Sequence, residues 1–121
     1  MKKVFPFLLR INTYDYDFAY GNLTFDVKTK ERTVPPELNY DCSVNLMNGK
    51  QKVDHYIFTQ VLDTYRYGWI LGSMKSSKFF KESSFHACGS VDPTNGFKFH
   101  CDTYNIPIEQ LRRMNTPEYR F

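Results

Sequence analysis

The sequence predicts an α+β domain that is rich in strands and carries a few short helices. Three stretches predict it. Residues 14–30, YDYDFAYGNLTFDVKTK, alternate aromatic or apolar with polar side chains on both sides of a Gly21-Asn22 turn, as a β-hairpin does. Residues 51–62 rise into a strand centred on Tyr56, Ile57 and Phe58, and Gly68–Met74 reads as its antiparallel partner. Ser76 or Ser77 then caps a short helix that runs to about Ser84 and buries Phe79 and Phe80.

Before the hairpin, Val4–Ile11 is apolar but contains Pro6, which argues for an extended segment over a helix. In the hairpin itself, a turn centred on Gly21-Asn22 sets Asp17 opposite Asp26 and Asp15 opposite Lys28. Tyr14, Tyr16, Phe18, Tyr20, Leu23, Phe25 and Val27 then share one face, the predicted core face. Asp15, Asp17, Ala19, Thr24, Asp26 and Lys28 share the other. Like charges directly opposed on paired strands cost roughly 0.2–1 kcal/mol. A divalent cation between Asp17 and Asp26 reverses that sign, and Mg²⁺ takes hard oxygen ligands of this kind. A solvated polar face, with Lys28 relieving Asp15, explains the same pattern, and spacing alone leaves both open.

After the hairpin, Thr29–Asn39 is polar, holds Pro35-Pro36 and reads as a loop or an extended crossing; Lys28, Lys30 and Arg32 alternate and project together, towards a phosphate backbone or towards solvent. Tyr40–Leu46 is a short strand or a helix start, Asn48-Gly49 a break and Asp63–Tyr67 a turn. Lys75, Lys78 and Lys81 form a basic stripe along the helix. Phe85–Val91 is extended, Asp92–Gly96 is a turn cluster and Phe97–Tyr104 alternates as a strand. Pro107 suits the first turn of a helix over Ile108–Met114, and a tail follows from Thr116. The expected core is Phe18, Phe25, Val27, Ile57, Phe58, Trp69 and Leu71.

At 121 residues the chain fits one domain, 1–121, with room for a real core. A formal charge of +3 is compatible with nucleic acid and demands nothing. No apolar run approaches the ~18 residues of a membrane span. The Met1–Leu9 run is too short for a signal peptide and lacks its cleavage site. Cys42, Cys88 and Cys101 make an odd count without framework spacing, which predicts free thiols in a reducing compartment. His86, Cys88, His100 and Cys101 lie close in sequence, but their spacing fits no usual zinc pattern; two buried cysteines and two partly exposed histidines are expected instead.

Asp17, eight residues, then Asp26-Val27-Lys28 resembles the PD-(D/E)XK nuclease superfamily, and the run from Asp26 to Pro36 is similar to its phage-encoded members. The resemblance implies a restriction-endonuclease-like mixed β-sheet core with a few short flanking helices. It implies a metal-dependent phosphodiesterase, endo- or exonuclease, acting on DNA in the bacterial cytoplasm, as a homo-oligomer and without a membrane. Asp17, Asp26 and the Val27 carbonyl would hold Mg²⁺ or Mn²⁺, and Lys28 would orient the attacking water. The family often carries a glutamine near the site on a helix after this strand, and Gln51 is the residue here that could match it, at a different spacing; Lys30, Arg32 and Lys52 would meet DNA. The chain departs from the pattern in having no acidic residue before Asp15. Asp15 or another subunit then supplies the missing carboxylate, or the site runs with fewer, or it is inert. The alternative is therefore a catalytically inactive nucleic-acid-binding or structural phage protein on the same fold. A small β-rich subunit of a larger assembly, suggested by the aromatic content of 17%, is the third reading.

Overall fold

In the computed structural model, residues 9–10, 17–45, 52–113 and 119–120 are described. Among them the chain runs β1 (Leu9–Arg10), β2 (Phe18–Tyr20), β3 (Leu23–Arg32), β4 (Asp41–Asn45), β5 (His55–Leu62), β6 (Tyr67–Lys75), α1 (Ser76–Glu82), β7 (Ser84–His86), β8 (Thr103–Pro107), one 3₁₀ turn (Ile108–Gln110) and β9 (Tyr119–Arg120). A six-stranded sheet has the order β1-β2-β3-β5-β6-β9, and a three-stranded sheet the order β4-β8-β7. The larger sheet is mixed: β3 and β5 run parallel, while β2–β3 and β5–β6 are antiparallel. This is the α+β class, a mixed-sheet core with few helices. No helix among the described residues is long and apolar enough to cross a membrane.

The β2–β3 hairpin keeps the predicted register, with Phe18 opposite Phe25 and Tyr20 opposite Leu23. Gly21 takes φ +59° while Asn22 does not go positive, the φ signs of a type II′ turn. Strand β3 then runs on to Arg32, which decides for the extended of the two readings over Thr29–Arg32. The reason is β5: eight consecutive parallel pairs, Phe25↔His55 to Arg32↔Leu62, hold those polar residues extended. The reciprocal bonds between Thr24 and Asp54 tie the starts of the two strands together, the Thr24 N–H donating to Asp54 Oδ2 at 2.8 Å and the Asp54 N–H to Thr24 Oγ1 at 3.1 Å.

The buried side of the larger sheet is the opposite of the one expected. Asp26, Tyr56, Phe58 and Gln60 are buried, whereas Phe25, Val27 and Ile57 are half-buried on the other face. Phe18 and Trp69 are likewise half-buried, and Phe58 and Leu71 are the two expected core residues that lie in it. The second sheet decides this. Cys42, Val44 and Ile106 pack with Tyr56, Phe58, Leu71 and Met74, and Phe79 of α1 closes the core. Phe79 meets Tyr56 edge-on with ring centroids 5.4 Å apart.

Where β6 crosses the core it bulges, the register shifting between Phe58↔Gly72 and Thr59↔Ile70. Gly72 has φ +153°, and a Cβ there would lie 2.7 Å from the Arg112 carbonyl oxygen and 2.8 Å from Leu111 Cβ. The close approach seats residues 111–112 against β6, where Ser73 and Arg112 exchange two backbone hydrogen bonds of 2.9 Å. Within the stretch expected as a short strand or helix start, Asp41–Asn45 is the strand β4, Leu46 lying outside the described residues, and Thr103–Pro107, later than expected, is β8. Of the helix expected over Ile108–Met114, the described residues to 113 form a single 3₁₀ turn, because Ile108 and Leu111 point into the core and fix the chain after it.

Two stability outcomes follow. Gly72→Ala should lower stability by about 1–3 kcal/mol in a chemical melt, since the added methyl meets backbone; an unchanged midpoint would mean residues 111–112 move away freely. Phe79→Ala should cost about 3–5 kcal/mol and Phe25→Ala clearly less, because Phe79 is fully buried and Phe25 is not.

Candidate functional site

Beyond Phe18 the hairpin ladder changes. Asp17 does not continue it to face Asp26 directly: its N–H donates to the Phe25 carbonyl at 2.8 Å, and its Oδ2 accepts the Val27 N–H at 2.9 Å. The N–H and C=O of one strand residue point to the same side, so the Val27 carbonyl shares that edge with the Asp17 carboxylate. Next to it Asp26 is 4% exposed. Its Oδ2 lies 2.9 Å from Lys28 Nζ. The contact is an ion pair without hydrogen-bond alignment, so this buried oxygen has no hydrogen-bond partner. Burial raises the Asp26 carboxyl above the usual range; the Lys28 ammonium works against this, and the nearby Asp17 charge adds to it. The Lys28 ammonium also stands 6.0 Å from the centre of the Tyr56 ring.

The same strand face continues as Lys30 and Arg32. Lys30 Nζ donates to the Asp41 carbonyl at 3.3 Å and to Ser43 Oγ at 3.1 Å. Arg32 donates to the same carbonyl at 3.0 Å, and its guanidinium sits 4.6 Å from the centre of the Tyr40 ring. Among the described residues neither cation forms an ion pair with a carboxylate. Burial, then the Arg32 charge, pushes the Lys30 ammonium below its ordinary value. Lys28, Lys30, Arg32, Ser43, Asn45 and Gln60 line a cleft of about 350 Å³ between β3 and the free edge of β4. At Lys30 and Arg32 the cleft meets a second groove of about 690 Å³ over the polar face of the smaller sheet.

Of the site residues expected from the sequence, Asp26, Val27 and Lys28 are consecutive on β3, Asp17 reaches them from just before β2 through its bond to the Val27 N–H, and Lys30 and Arg32 extend the face of Asp26 and Lys28. Lys52 is exposed on the approach to β5. Gln51 and Asp15 lie outside the described residues. Gln60, which the sequence reading passed over, is fully buried and pairs with Lys30 across the parallel strands. Its Nε2 donates to the Val34 carbonyl at 2.8 Å, while Oε1 has no hydrogen-bond partner. The signal was present: Tyr56, Phe58 and Gln60 alternate, and their shared parity puts Gln60 on the face of Lys28 and Lys30.

The Cys and His residues form no such group. Cys88 is exposed and Cys101 half-buried, a correction to the expected burial, because Cys88 sits in a turn and gives its Sγ–H to the His100 carbonyl at 3.2 Å. His86 stacks on Phe99 with centroids 4.4 Å apart. Cys42 is buried, and burial pushes its thiol up to about 12, so it is inert as a nucleophile. Among the described residues no three acidic, histidine or cysteine side chains gather to hold a metal. What the hairpin offers a cation is two carboxylates and a backbone carbonyl, a hard-oxygen set that suits Mg²⁺.

No protein-family model, no curated protein and no solved structure matches the chain.

The raised Asp26 carboxyl has a consequence for stability. Its folded pKa lies above its unfolded value, so ionising it costs stability; the cost is absent below the unfolded pKa of about 3.9 and complete above the folded pKa. Asp26→Asn should therefore melt above the wild type at pH 7 in metal-free buffer, and the gap should close as the pH falls through that window. A variant that melts lower at pH 7 would show instead that the Lys28 pair outweighs the burial.

Proposed function

We propose that this chain is a Mg²⁺- or Mn²⁺-dependent nuclease that hydrolyses DNA phosphodiester bonds, with the PD-(D/E)XK arrangement on the β2–β3 hairpin. One observation carries it: a buried Asp26 oxygen without a hydrogen bond, flanked by the Asp17 carboxylate on one side and Lys28 on the other. Burial and the neighbouring Asp17 charge still hold the Asp26 carboxyl above its usual range with Lys28 in place, and a bound cation would offset both. Asp17, Asp26 and the Val27 carbonyl would hold the ion, which lowers the pKa of a bound water and offsets phosphate charge.

The chain's own residues do the rest. Asp26 keeps the Lys28 ammonium at the site and turned along the strand face. Lys28 stabilises negative charge that grows on the scissile phosphate and orients the attacking water by donating to its oxygen. In net, the water oxygen forms a new P–O bond, the P–O ester bond breaks, and a proton passes to the departing oxygen. Lys30 and Arg32 hold the strand on one side of that phosphate by charge. The inert nucleic-acid-binding alternative draws on the absence of an acidic residue before Asp15.

A cleavage assay on a panel of duplex, nicked, branched and single-stranded DNA decides between them. Asp26→Asn should abolish cutting with the fold intact, and Lys28→Ala should slow it about 10²-fold or more. Mg²⁺ should raise the melting temperature of the wild type and of Lys28→Ala, and that of Asp26→Asn by less. Equal Mg²⁺ shifts in all three proteins, with no DNA cut, would leave the inert scaffold as the better account.

A further inference from the structure

We propose that the groove beyond Lys30 and Arg32 is a track for an unpaired DNA strand, with a phosphate on those two cations and a base stacked on Phe97. The direction of the track, from Lys28 outward, rests on the nuclease assignment above.

Four observations lead there. The first is uncompensated charge. Lys30 and Arg32 are half-buried, face the same Asp41 carbonyl, and have no carboxylate within ion-pairing distance among the described residues. Asp41 and Asp92 also border the groove: Asp41 gives these cations its backbone oxygen, its carboxylate acting on Lys30 only as the weakest of the influences there, and Asp92 Oδ1 accepts the Thr94 N–H and hydroxyl at 2.9 and 2.6 Å. An anion is what such a pair of cations lacks, and a phosphate suits both the point charge of lysine and the fork of arginine.

The second is spacing. Alternate residues of a strand lie about 6.6–6.8 Å apart, so Lys28, Lys30 and Arg32 form an evenly spaced row along β3, comparable to successive phosphates on an extended single strand.

The third is the shape of the space. The groove holds about 690 Å³ and is walled by the smaller sheet and residues 92–101. That is the size of a small-ligand site. It takes a nucleotide or two and does not seat a duplex. Ser43 and Asn105, joined by a 2.6 Å bond, and Asn45 and Asn95 supply neutral donors and acceptors along it.

The fourth is an aromatic ring held out in the open. Phe97 is 54% exposed at the mouth of the groove. Its backbone is fixed: the Gly96 N–H donates to the Asp92 carbonyl at 2.8 Å, the Phe97 N–H to Asn95 Oδ1 at 2.9 Å, and the Asp92 N–H to the Phe97 carbonyl at 2.8 Å. Phe99 braces the ring edge-on at 5.2 Å. A rigid, exposed ring beside a basic groove is the pairing that proteins use to hold single strands, where bases stack on aromatics and the backbone follows the charge. A duplex, whose bases are already stacked, gains nothing from that ring.

The test is equilibrium binding by fluorescence anisotropy in EDTA, which removes cleavage from the measurement. The probes are a labelled oligothymidylate of about 12 nucleotides, within the range of single-strand sites, and a blunt duplex of the same length. The wild type should bind the single strand more tightly than the duplex. Phe97→Ala should weaken single-strand binding about tenfold and leave duplex binding unchanged. Arg32→Gln should lower the slope of log affinity against log salt by about 0.7, the loss of one phosphate contact on a single strand, and Arg32→Lys should keep most of it. Equal affinity for both probes, or a Phe97→Ala protein that binds as the wild type does, would overturn the proposal. Phe97 is exposed, so this variant stays folded even where Arg32→Gln does not. Binding with these features but no cutting in Mg²⁺ would sink the nuclease assignment and leave the track standing; cutting without single-strand preference would do the reverse.

Discussion

Strand β3 has to bury charge. It carries Asp26, Lys28, Lys30 and Arg32 on the face that pairs, residue for residue, with Tyr56, Phe58, Gln60 and Leu62 of β5. The β5 positions Tyr56, Phe58 and Gln60 are buried, so the charged row is drawn to the inner side of the sheet. A hydrophobic row there would let the two sheets close on each other over their whole length. A charged one cannot be packed dry, because each ion taken from water without partners costs several kcal/mol. The sheets therefore close over the Tyr56–Phe58–Phe79 side and stay apart along β3, and the cleft is the part that fails to close.

Each charge in that row then finds a different compromise. Asp26 and Lys28 neutralise each other, at the expense of a carboxylate oxygen with no hydrogen bond. Lys30 and Arg32 lean over the free edge of β4 and share a carbonyl, a dipole where a full charge would serve better. Edge strands leave such carbonyls unpaired, so β4 is placed where it can supply one. The bulge at Gly72 serves the same geometry from the other side of the core: it lets residues 111–112 reach β6, and Ile108 and Leu111 fill the space that the charged strand cannot.

The sequence was most legible where structure is local. The Gly21-Asn22 turn fixed the hairpin register, and the alternation around Tyr56–Phe58 and Gly68–Met74 located two neighbouring strands. Which face is buried was not legible in the hairpin. Periodicity separates Phe25 and Val27 from Asp26 and Lys28, but it does not say which row looks inward, and the more apolar row was the reasonable choice. The answer lay in a parallel pairing 30 residues away, Asp26 with Tyr56, and in a second sheet whose strands β4 and β8 are 62 residues apart at Ser43 and Asn105. The end of β3 is open in the sequence for the same reason: Thr29–Arg32 has a composition that suits a loop or an extended crossing, and it becomes strand because β5 lies alongside. Gln60 was hidden by this too, since a buried glutamine on a strand reads as a polar interruption until its partner Lys30 is known.

A fold that satisfied every local rule would carry valine or isoleucine at positions 28, 30 and 32 and would be more stable for it, because replacing buried ionic groups with apolar ones of similar volume is often neutral or stabilising. This chain keeps the charges at consecutive inward positions of its longest strand, a place where no stability argument asks for them. Departures from local consistency concentrate where a protein meets a ligand, since the unsatisfied group is what the ligand satisfies. The departures here share a sign pattern. A carboxylate pair at one end calls for a cation, and two unpaired cations further along call for anions. On the proposed reading, a phosphodiester backbone with its divalent counter-ion presents those charges in that order, and the charges of β3 make one extended site rather than separate defects of packing.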